Sequence, residues 1–550
     1  MSEHSKTQQP TNTDPDSALP LPPMAHNLWG TPDEAKPLGS SITRIIQKVL
    51  THQKPQPSKT SAEITLTPVA LSDDDLHTLA TIVGTNHVTT DKEQRLRRAR
   101  GKSYLDLATY RTDRIVSAPD AVVAPATEDE VLQILQWADK ESVAVVTFGG
   151  GTSVVGGLTP ENGQHRAVLS LDVARFNKLE DVDPISKEAT FGAGLSGPHA
   201  ELMIAKHGLQ IGHYPQSFPY ASIGGYAATR SSGQSSAGYG RFDEMVRSLT
   251  VVTPQGIMNV GHNAPMSAAG PDLRQLFLGS EGTLGIITRV RLRLHTIPEH
   301  KEYEAFMFPD FDAAVRGLRE VTQQHTGPTV IRLSDEIETA VNLTSSPDKI
   351  GEATQQKGCR CLTMYEGTPE HTASRHEETR NLLLKLGAVS LGDEPVRHWE
   401  QGRFGAPVLR DALLDAGLIC ETLETATDWS NVSHLKKTTT AAIGHALAKH
   451  GTPSLIMCHV SHVYESGCSL YFTILAGRSE NDPLDEWWDV KSAVSTAIVT
   501  AGGTITHHHA VGTDHKDYMA GDIGDNSLNL LKTIKNAIDP SGILNPGKLI

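Results

Sequence analysis

The chain has 550 residues, more than one hydrophobic core ordinarily organises, so two or three packed units are expected. Its 49 Lys and Arg against 64 Asp and Glu give a net charge of −15, which argues against broad binding to nucleic acid or anionic membrane. The five cysteines lack zinc-ribbon or iron–sulfur spacing, and no apolar run approaches the roughly 18 residues of a membrane span, so we expect a reduced, cytoplasmic protein.

The first 95 residues predict a tail followed by an extension. Residues 1–25 are polar and Pro-rich without an apolar core, which indicates a disordered tail rather than a signal peptide. Residues 26–95 predict a helical N-terminal extension, in which Pro-rich connections follow apolar residues at helical spacing: Ile42, Ile45, Ile46, Val49 and Leu50.

From residue 96 the sequence predicts an α+β protein with two main domains. Within 96–297, β-branched runs such as 143–148 and 284–294 predict strands, and 128–140 predicts an amphipathic helix. Residues 298–500 are richer in helical pattern, with predicted strands at 454–464 and 468–476 between the helices. A Gly-Gly turn then leads into the last segment, 501–550.

Three Gly-rich segments follow one another along the first domain. In 147–153, three glycines permit positive φ, so that several N–H groups can point at one anion. Alone, this loop is more often a simple strand-ending turn, and it has neither the P-loop Lys nor the Rossmann G-x-G-x-x-G spacing. The segments 215–233 and 279–287 repeat the small-residue pattern, which indicates backbone lying against a flat, extended ligand.

In order and spacing, these segments resemble the PCMH-type FAD-binding domain of the vanillyl-alcohol oxidase flavoprotein superfamily, and residues 539–548 resemble its usual C-terminal ending. The resemblance implies a two-subdomain FAD-binding domain at 96–297, an α+β cap domain for the substrate at 298–500, and a C-terminal segment, 501–550, that returns to the FAD domain and the active site. Many relatives attach the flavin through a His in the first loop, which here has Thr152 and Ser153, so non-covalent FAD is predicted.

The resemblance also implies the cofactor contacts. The first segment is expected to wrap the pyrophosphate, the second to line the ribityl chain and isoalloxazine, and the third to complete the cleft. The implied residues are Thr147, Phe148, Gly149, Gly150, Gly151, Thr152 and Ser153; Gln216, Ser217, Phe218, Pro219, Tyr220, Ala221 and Ser222; Thr229, Arg230, Ser231 and Ser232; and Glu281, Gly282, Thr283, Leu284, Gly285, Ile286 and Ile287.

A cluster of three histidines, His507, His508 and His509, lies just after the Gly-Gly turn. In an extended segment His507 and His509 would share one side, and the cluster would be either a polar strand end or a metal site. Superfamily dehydrogenases of D-2-hydroxy acids carry a metal-binding GHxGDGNxH pattern and a later Glu-His-Gly. Here Tyr471 replaces the second His and His508 replaces the Glu, while His462 persists, so no bound metal is predicted.

From about residue 28 onward the chain resembles the alkyldihydroxyacetonephosphate synthase family of ether-lipid synthesis. The motifs that carry the resemblance are Trp29-Gly30, Arg332-Leu333-Ser334-Asp335, Arg410-Asp411, SHVYESGCSLYF at 461–472 and THHHAVG at 506–512. Three positions depart from the family: a Gly of the first loop stands where the animal enzyme has Cys, Gln216 replaces an Asp, and Ala510 replaces a Gly.

The resemblance implies an FAD-dependent alkyl transferase. It would exchange the acyl chain of acyl-dihydroxyacetone phosphate for a long-chain alcohol, releasing fatty acid without net oxidation. Tyr471 would be the acid/base residue, Arg410 would contact the substrate phosphate, and the histidines 507–509 would orient groups or shuttle protons. A phenol with a pKa near 10 needs a neighbouring cation or imidazole for this role, and the guanidinium fork suits a phosphate.

Other interpretations of the same residues remain open. A Tyr in an apolar strand is more often a core residue, and Arg410 could pair with Asp411 or Asp415. Because fold does not fix chemistry, an FAD-dependent oxidase or dehydrogenase of a hydroxylated substrate such as a D-2-hydroxy acid is the alternative function, and a flavin-binding protein without turnover is a third. Relatives are often dimers, so we expect a homodimer, and a fatty substrate implies peripheral contact with membrane lipid.

Overall fold

The computed structural model describes residues 24–39, 43–44, 55–261, 264–344, 357–479 and 482–550. The predicted tail lies almost entirely outside these residues, as do the five apolar positions that carried the helical pattern between 42 and 50. In the described part of the extension, helices with complete bounds are Asp73–Val83 and Lys92–Arg97, with 3-10 turns at Pro32–Glu34 and Thr85–His87.

The N-terminal domain begins with a four-stranded sheet in the order β1-β2-β4-β3, in which β2, β4 and β3 are parallel. The helix Glu128–Glu141 covers it, because Val131, Ile134, Leu135 and Ala138 recur at helical spacing and are buried against the strands. The predicted strand at 143–148 and this helix are therefore confirmed. The strands are β1 (Val88–Thr89), β2 (Ala121–Val123), β3 (Val143–Phe148) and β4 (Ala167–Asp172).

A second, antiparallel sheet with its own core completes this domain. Its order is β5-β6-β10-β8-β9, and a short pair, β7 and β11, lies apart from it. The strands are β5 (Leu179–Asp183), β6 (Glu188–Gly192), β7 (Leu209–Gln210), β8 (Val246–Thr253), β9 (Gly256–Gly261), β10 (Ile286–Arg293) and β11 (His295–Thr296). The helices are Gly197–Ala205, Ile223–Ala228, Ser236–Tyr239, Phe242–Met245 and Arg274–Phe277, with a 3-10 turn at Val173–Arg175.

The cap domain is built on an antiparallel sheet in the order β15-β12-β14-β13-β17-β18-β16. Its strands are β12 (His300–Phe308), β13 (Val330–Ser334), β14 (Cys359–Gly367), β15 (Val389–Gly392), β16 (Ile419–Asp428), β17 (Ser454–Val460) and β18 (Gly467–Ala476). Its helices are Phe311–Gln323, Glu336–Thr344, Pro369–Lys385, Glu394–Gly402, Ala406–Asp415, Val432–Lys449 and Pro483–Thr500, with a 3-10 turn at Trp429–Asn431.

Strand alternation gives this sheet two different faces. On β18, Leu470, Phe472 and Ile474 are fully buried in a core that also contains Trp487, whereas Tyr471 points to the opposite face. Successive side chains of a strand alternate between the two faces of the sheet. Burial of one face in the core therefore determines which residues of the same strands lie on the other face.

Two segments cross the boundary between the domains. The helix Tyr104–Thr109 buries Tyr104 and Leu107 in the cap core, with the Tyr104 ring 5.6 Å from Trp487. It therefore packs with the cap, although the boundary predicted at residue 96 assigns it to the FAD-binding domain.

The C-terminal segment crosses in the other direction, from the cap domain back to the N-terminal domain. After a 3-10 turn, Lys516–Tyr518, and the helices Met519–Ile523 and Asp525–Ile538, Leu544 forms a parallel bridge with Val145 of β3. The predicted α+β fold is confirmed. None of the described helices combines the length and apolarity needed to cross a bilayer.

Candidate active site

A row of polar side chains crosses the face of the cap sheet that lies opposite its apolar core. The strand register pairs Ser334 with His459, His459 with Tyr471, and Tyr471 with Glu424. Directly paired residues project from the same face of a sheet, so four neighbouring strands contribute to one row.

Tyr471 is enclosed by imidazole rings. The His459 ring stacks on the phenol at a centroid distance of 4.7 Å, and the rings of His508 and His509 lie at 5.9 and 5.4 Å. Burial raises the pKa of Tyr471 to about 12, so the phenol is protonated near neutral pH. It therefore begins any reaction as a proton or hydrogen-bond donor.

The three adjacent histidines form bends rather than a strand. Their successive N–H groups, at 507, 508 and 509, all donate to the carboxylate of Glu424, over 2.7, 3.2 and 3.0 Å. The alternation expected of an extended segment is therefore wrong, and His507 and His508 both have ring centroids within 5.3 Å of the His462 ring. Ala510, where the family has Gly, ends the turn with a φ of 75°.

The histidines also connect the cap to the N-terminal domain. Ser232 Oγ lies 3.2 Å from Nδ1 of His462, and Arg241 donates to the carbonyl oxygen of His507 over 2.9 Å. One nitrogen from each of His462, His507 and His508 lies within 4.8 Å of the others, a spacing that a metal ion could use. Burial lowers the pKa of all three, so they are neutral. The predicted absence of a metal stays a prediction.

Arg410 lies in the helix Ala406–Asp415 and is buried, with 9% of its surface exposed. Its Nε and Nη2 atoms have no hydrogen-bond partner among the described residues. Asp411 instead accepts the Trp29 N–H, and Asp415 pairs with Arg111, so the surface ion pair considered for Arg410 does not form there. A buried guanidinium with free donors is the complement of an anion.

The first Gly-rich loop forms a close-packed cradle with the second. A Cβ atom on Gly149 would overlap Ser222 Oγ, and one on Gly150 would overlap the Tyr220 carbonyl oxygen and lie 2.8 Å from Cα of Ala221. Two buried polar atoms on this cradle, Thr147 Oγ1 and Gln216 Nε2, have no partner among the described residues. Free donors beside backbone that excludes side chains fit a bound pyrophosphate and flavin.

Other members of the implied cofactor set have structural duties. Arg230 donates to the Leu278 carbonyl and to Asp243, which ties residues 229–232 to the neighbouring loop. Burial raises the pKa of the Glu281 carboxyl to about 7, and this carboxyl accepts the N–H groups of Val511 and Gly512 over 2.8 Å each. These side chains therefore hold neighbouring segments together, and cofactor contact at their positions stays a prediction.

Several other residues of the implied cofactor set also have side chains that make structural contacts. Phe218 stacks with Phe404 of the cap at 5.4 Å, and Phe148 lies under the Arg98 guanidinium. Ser222 caps the helix Ile223–Ala228, and Ile286 and Ile287 are buried at the start of β10.

An N-terminal strap, residues 24–34, covers the junction of cradle and cap. Trp29 is 4% exposed, packs its ring edge-on to Tyr220 at 5.8 Å, and donates its backbone N–H to Asp411 over 2.6 Å. The buried Lys102 amine donates to the carbonyl oxygens of Ala25 and His26. Burial lowers the pKa of Lys102 to about 7.

Sequence reasoning did not identify Glu424, Lys102 or Arg241. Glu424 lies in the run ICETLETATD, where charged and polar residues alternate without any motif. The groups that it binds belong to a segment more than 80 positions later in the chain. Lys102 had no signal in the sequence, because its partners are backbone carbonyls of a distant segment.

Comparison with known proteins defines the class of this chain. A profile described as an FAD binding domain matches residues 119–261, and one described as the C-terminal domain of FAD linked oxidases matches residues 297–549. The chain is therefore an FAD-dependent flavoenzyme of the FAD-linked oxidase class.

Relatives that match over most of their length identify the family of this chain within that class. An alkyldihydroxyacetonephosphate synthase of Trypanosoma brucei brucei is 31% identical over 90% of this chain and 84% of its own length. One from Dictyostelium discoideum is 33% identical over 84% and 78%. A mitochondrial D-lactate dehydrogenase of Arabidopsis thaliana is 28% identical over 80% and 74%. The chain belongs to the alkyldihydroxyacetonephosphate synthase family.

Solved structures agree with this assignment. A crystal structure of alkyldihydroxyacetonephosphate synthase superposes with a TM-score of 0.81, at 28% identity, over 95% of this chain and 98% of the other. p-Cresol methylhydroxylase superposes with a TM-score of 0.67 at 17% identity, over 88% and 98%, which shows the shared fold alone. The predicted resemblance to the alkyldihydroxyacetonephosphate synthase family is thereby confirmed.

Proposed function

We propose that this protein transfers a long-chain alkoxy group onto dihydroxyacetone phosphate, in exchange for the acyl chain of acyl-dihydroxyacetone phosphate. The observation that carries the proposal is Arg410, a buried guanidinium with two free donor atoms in a chain whose relatives are alkyldihydroxyacetonephosphate synthases. Its charge also acts on Tyr471, where it lowers the pKa against the effect of burial. The Arg410 guanidinium is therefore close enough to act electrostatically on the acid/base candidate.

The residues divide the work in a way that suits this exchange. Arg410 holds the phosphate by two parallel hydrogen bonds, which fixes the carbon skeleton of the substrate relative to Tyr471. Tyr471, protonated at neutral pH, donates its proton to the departing carboxylate. Neutral His508 or His509 takes the proton of the entering alcohol and returns it to the Tyr471 phenolate, so the exchange ends with each residue in its starting state. FAD would be held by the glycine cradle and would supply a reversible electron sink.

The proposed function is tested by product analysis without an electron acceptor. Purified holoprotein is incubated with palmitoyl-dihydroxyacetone phosphate and deuterated hexadecanol, and products are measured by mass spectrometry. We expect one deuterated ether product for each palmitate released. Absence of the ether product, together with reduction of an artificial acceptor by a D-2-hydroxy acid, would show a dehydrogenase instead.

We also propose that FAD is bound non-covalently, because Thr152 and Ser153 occupy the loop where relatives carry the attaching His. Acid precipitation should release the flavin into the supernatant, and yellow colour retained in the pellet would contradict this.

We further propose a cytoplasmic homodimer that meets its lipid substrates at a membrane surface. The support is the fatty character of the proposed substrates, together with five buried cysteines that form no disulfide among the described residues. Light scattering after gel filtration tests the dimer. Flotation with phosphatidylcholine vesicles containing hexadecanol tests the surface contact, and a monomer that never floats would contradict both proposals.

A further inference from the structure

The carboxylate of Glu424 organises the histidine segment. It accepts the N–H groups of residues 507, 508 and 509 and the hydroxyl of Thr506, which donates to Oε1 over 2.6 Å. Glu424 lies directly opposite Tyr471 in the strand register and is 3% exposed. One carboxylate therefore joins the histidine segment to the strand pair that carries the phenol.

Glu424 differs from several buried carboxylates of the fold in what balances its charge. Asp514 pairs with Lys491, Asp539 with Lys535, and Glu338 with Arg332. For Glu424 the described residues offer no Lys or Arg within ion-pair distance, and the nearest ring nitrogen is His508 Nδ1, at 3.5 Å from Oε2. A buried carboxylate is costly unless it is paired and hydrogen-bonded, so an imidazole and four donors take the place of a permanent cation.

We propose that Glu424 is a positioning residue of the transfer reaction, which holds the imidazole of His508 over the phenol of Tyr471 and supplies the charge against which that imidazole takes up a proton. The His508 and Tyr471 rings are nearly parallel, with an interplanar angle of 17°. Because three consecutive N–H groups are held by one carboxylate, displacement of Glu424 moves all three imidazoles together.

The charge of Glu424 changes the pKa of His508 in a defined direction. Burial lowers the pKa of His508, and Glu424 raises it again, while the Arg241 guanidinium lowers it further. The other titratable side chains around this imidazole are His462, His213, His507, His509 and Tyr471. Since all of these are neutral or nearly so, Glu424 is the anion that stabilises a protonated His508 in this site.

This inference rests on the proposed function for its kinetic readout, so a second readout without turnover is included. The variants are Glu424→Gln, which removes the charge, and Glu424→Asp, which retains it on a shorter side chain. Glu304→Gln is the matched control, because Glu304 is a buried carboxylate beside His376 in the same sheet but away from the site.

For Glu424→Gln we expect kcat to fall about 100-fold with little change in KM or FAD content. We expect the acidic limb of its pH profile to move about 1 to 3 units lower. Glu424→Asp should lose activity without this pH shift, and Glu304→Gln should keep the wild-type profile. A Glu424→Gln enzyme with normal kcat, or with an unshifted limb, overturns the proposal.

The second readout is the ¹³Cε1 histidine spectrum of the labelled holoprotein, with His508 assigned from the His508→Gln variant. The pKa of His508 should fall in Glu424→Gln and not in Glu304→Gln, and an unchanged titration overturns the proposal even if no transferase activity is found.

If Glu424→Gln does not fold, Thr506→Val removes one donor and leaves the charge. It should lower kcat about 3- to 10-fold at full FAD content, and wild-type kcat there would count against the positioning role.

Discussion

Buried donor atoms without partners are the residue-scale evidence for where the ligands of this protein bind. Arg410 presents Nε and Nη2, and Thr147 and Gln216 present one polar atom each. Leaving such groups unsatisfied costs about 1–3 kcal/mol apiece, more for a charged group, so they are retained where a ligand completes them.

Arg410→Lys keeps the positive charge and removes the planar fork. We expect KM for acyl-dihydroxyacetone phosphate to rise about 10-fold or more, with FAD content unchanged, because one ammonium cannot make the two parallel hydrogen bonds. Steady-state kinetics of holoprotein measure this. Arg397→Lys, at an exposed ion pair with Asp393, is the control. Equal KM values in the two variants would remove Arg410 from the phosphate site.

Gly150→Ala tests the cofactor cradle. Its Cβ would overlap the Tyr220 carbonyl oxygen, so the loop 216–222 must shift, and we expect the protein to purify with little FAD. The ratio of flavin to protein absorbance after gel filtration measures this. Gly402→Ala has open space around the new Cβ and should retain FAD fully. A Gly150→Ala protein with stoichiometric flavin would show that the cradle is not where the cofactor lies.

At the scale of elements, the N-terminal strap connects the cradle to the helix of Arg410. Trp29→Ala removes the indole from its cluster with Tyr220 and Met24 and keeps the backbone hydrogen bond to Asp411, so it should loosen the strap by local opening rather than global unfolding. Hydrogen exchange in residues 24–34 and 216–222 should accelerate about 10-fold or more.

Trp488→Ala is the matched control for the strap, since that Trp is 40% exposed on the helix Pro483–Thr500. It should leave exchange in both segments unchanged. Exchange in 216–222 that stays at the wild-type rate in Trp29→Ala would show that the strap does not support the cofactor loop.

Sequence pattern predicted those strands whose apolar residues are buried. The runs at 143–148 and 468–476 form strands, because their apolar residues face a core. Family motifs pointed to Tyr471 and Arg410, whose placement as site residues agrees with the geometry and awaits the tests above. The bends at 507–509 could not be predicted, because a carboxylate on a distant strand, Glu424, collects their N–H groups and overrides extended geometry.

At the scale of the whole molecule, buried neutral histidines make the free energy of unfolding depend on pH in the acidic range. Burial lowers the pKa of His213 and His509 to about 3 and that of His515 to about 4. In the unfolded chain these groups titrate near 6.5, so below that pH the unfolded state binds protons that the folded state does not. The free energy of unfolding should be independent of these groups above about pH 6.5 and fall below it, until the folded pKa values are passed.

Three such histidines contribute a slope of up to about 4 kcal/mol per pH unit between about pH 6 and 4. Guanidinium unfolding of holoprotein at pH 8, 7, 6 and 5 measures it. His515→Gln should reduce the slope by up to about 1.4 kcal/mol per unit, whereas the exposed His445→Gln should not. A free energy of unfolding that rises from pH 7 to pH 5 would contradict the neutral state of these imidazoles.

The two domains meet through the catalytic candidates themselves, since Ser232 contacts His462 and Arg241 contacts the His507 carbonyl. The proton-carrying residues therefore belong to one site that spans both domains, and the proposed reaction there is a transfer without net oxidation.

The most direct test is the anaerobic absorbance spectrum of the holoprotein, mixed first with acyl-dihydroxyacetone phosphate and then with hexadecanol. We predict bleaching of the flavin with release of fatty acid on the first addition, and return of the oxidised spectrum on the second. No response to either reagent, with lasting bleaching by a D-2-hydroxy acid instead, would contradict the account and make the protein a dehydrogenase.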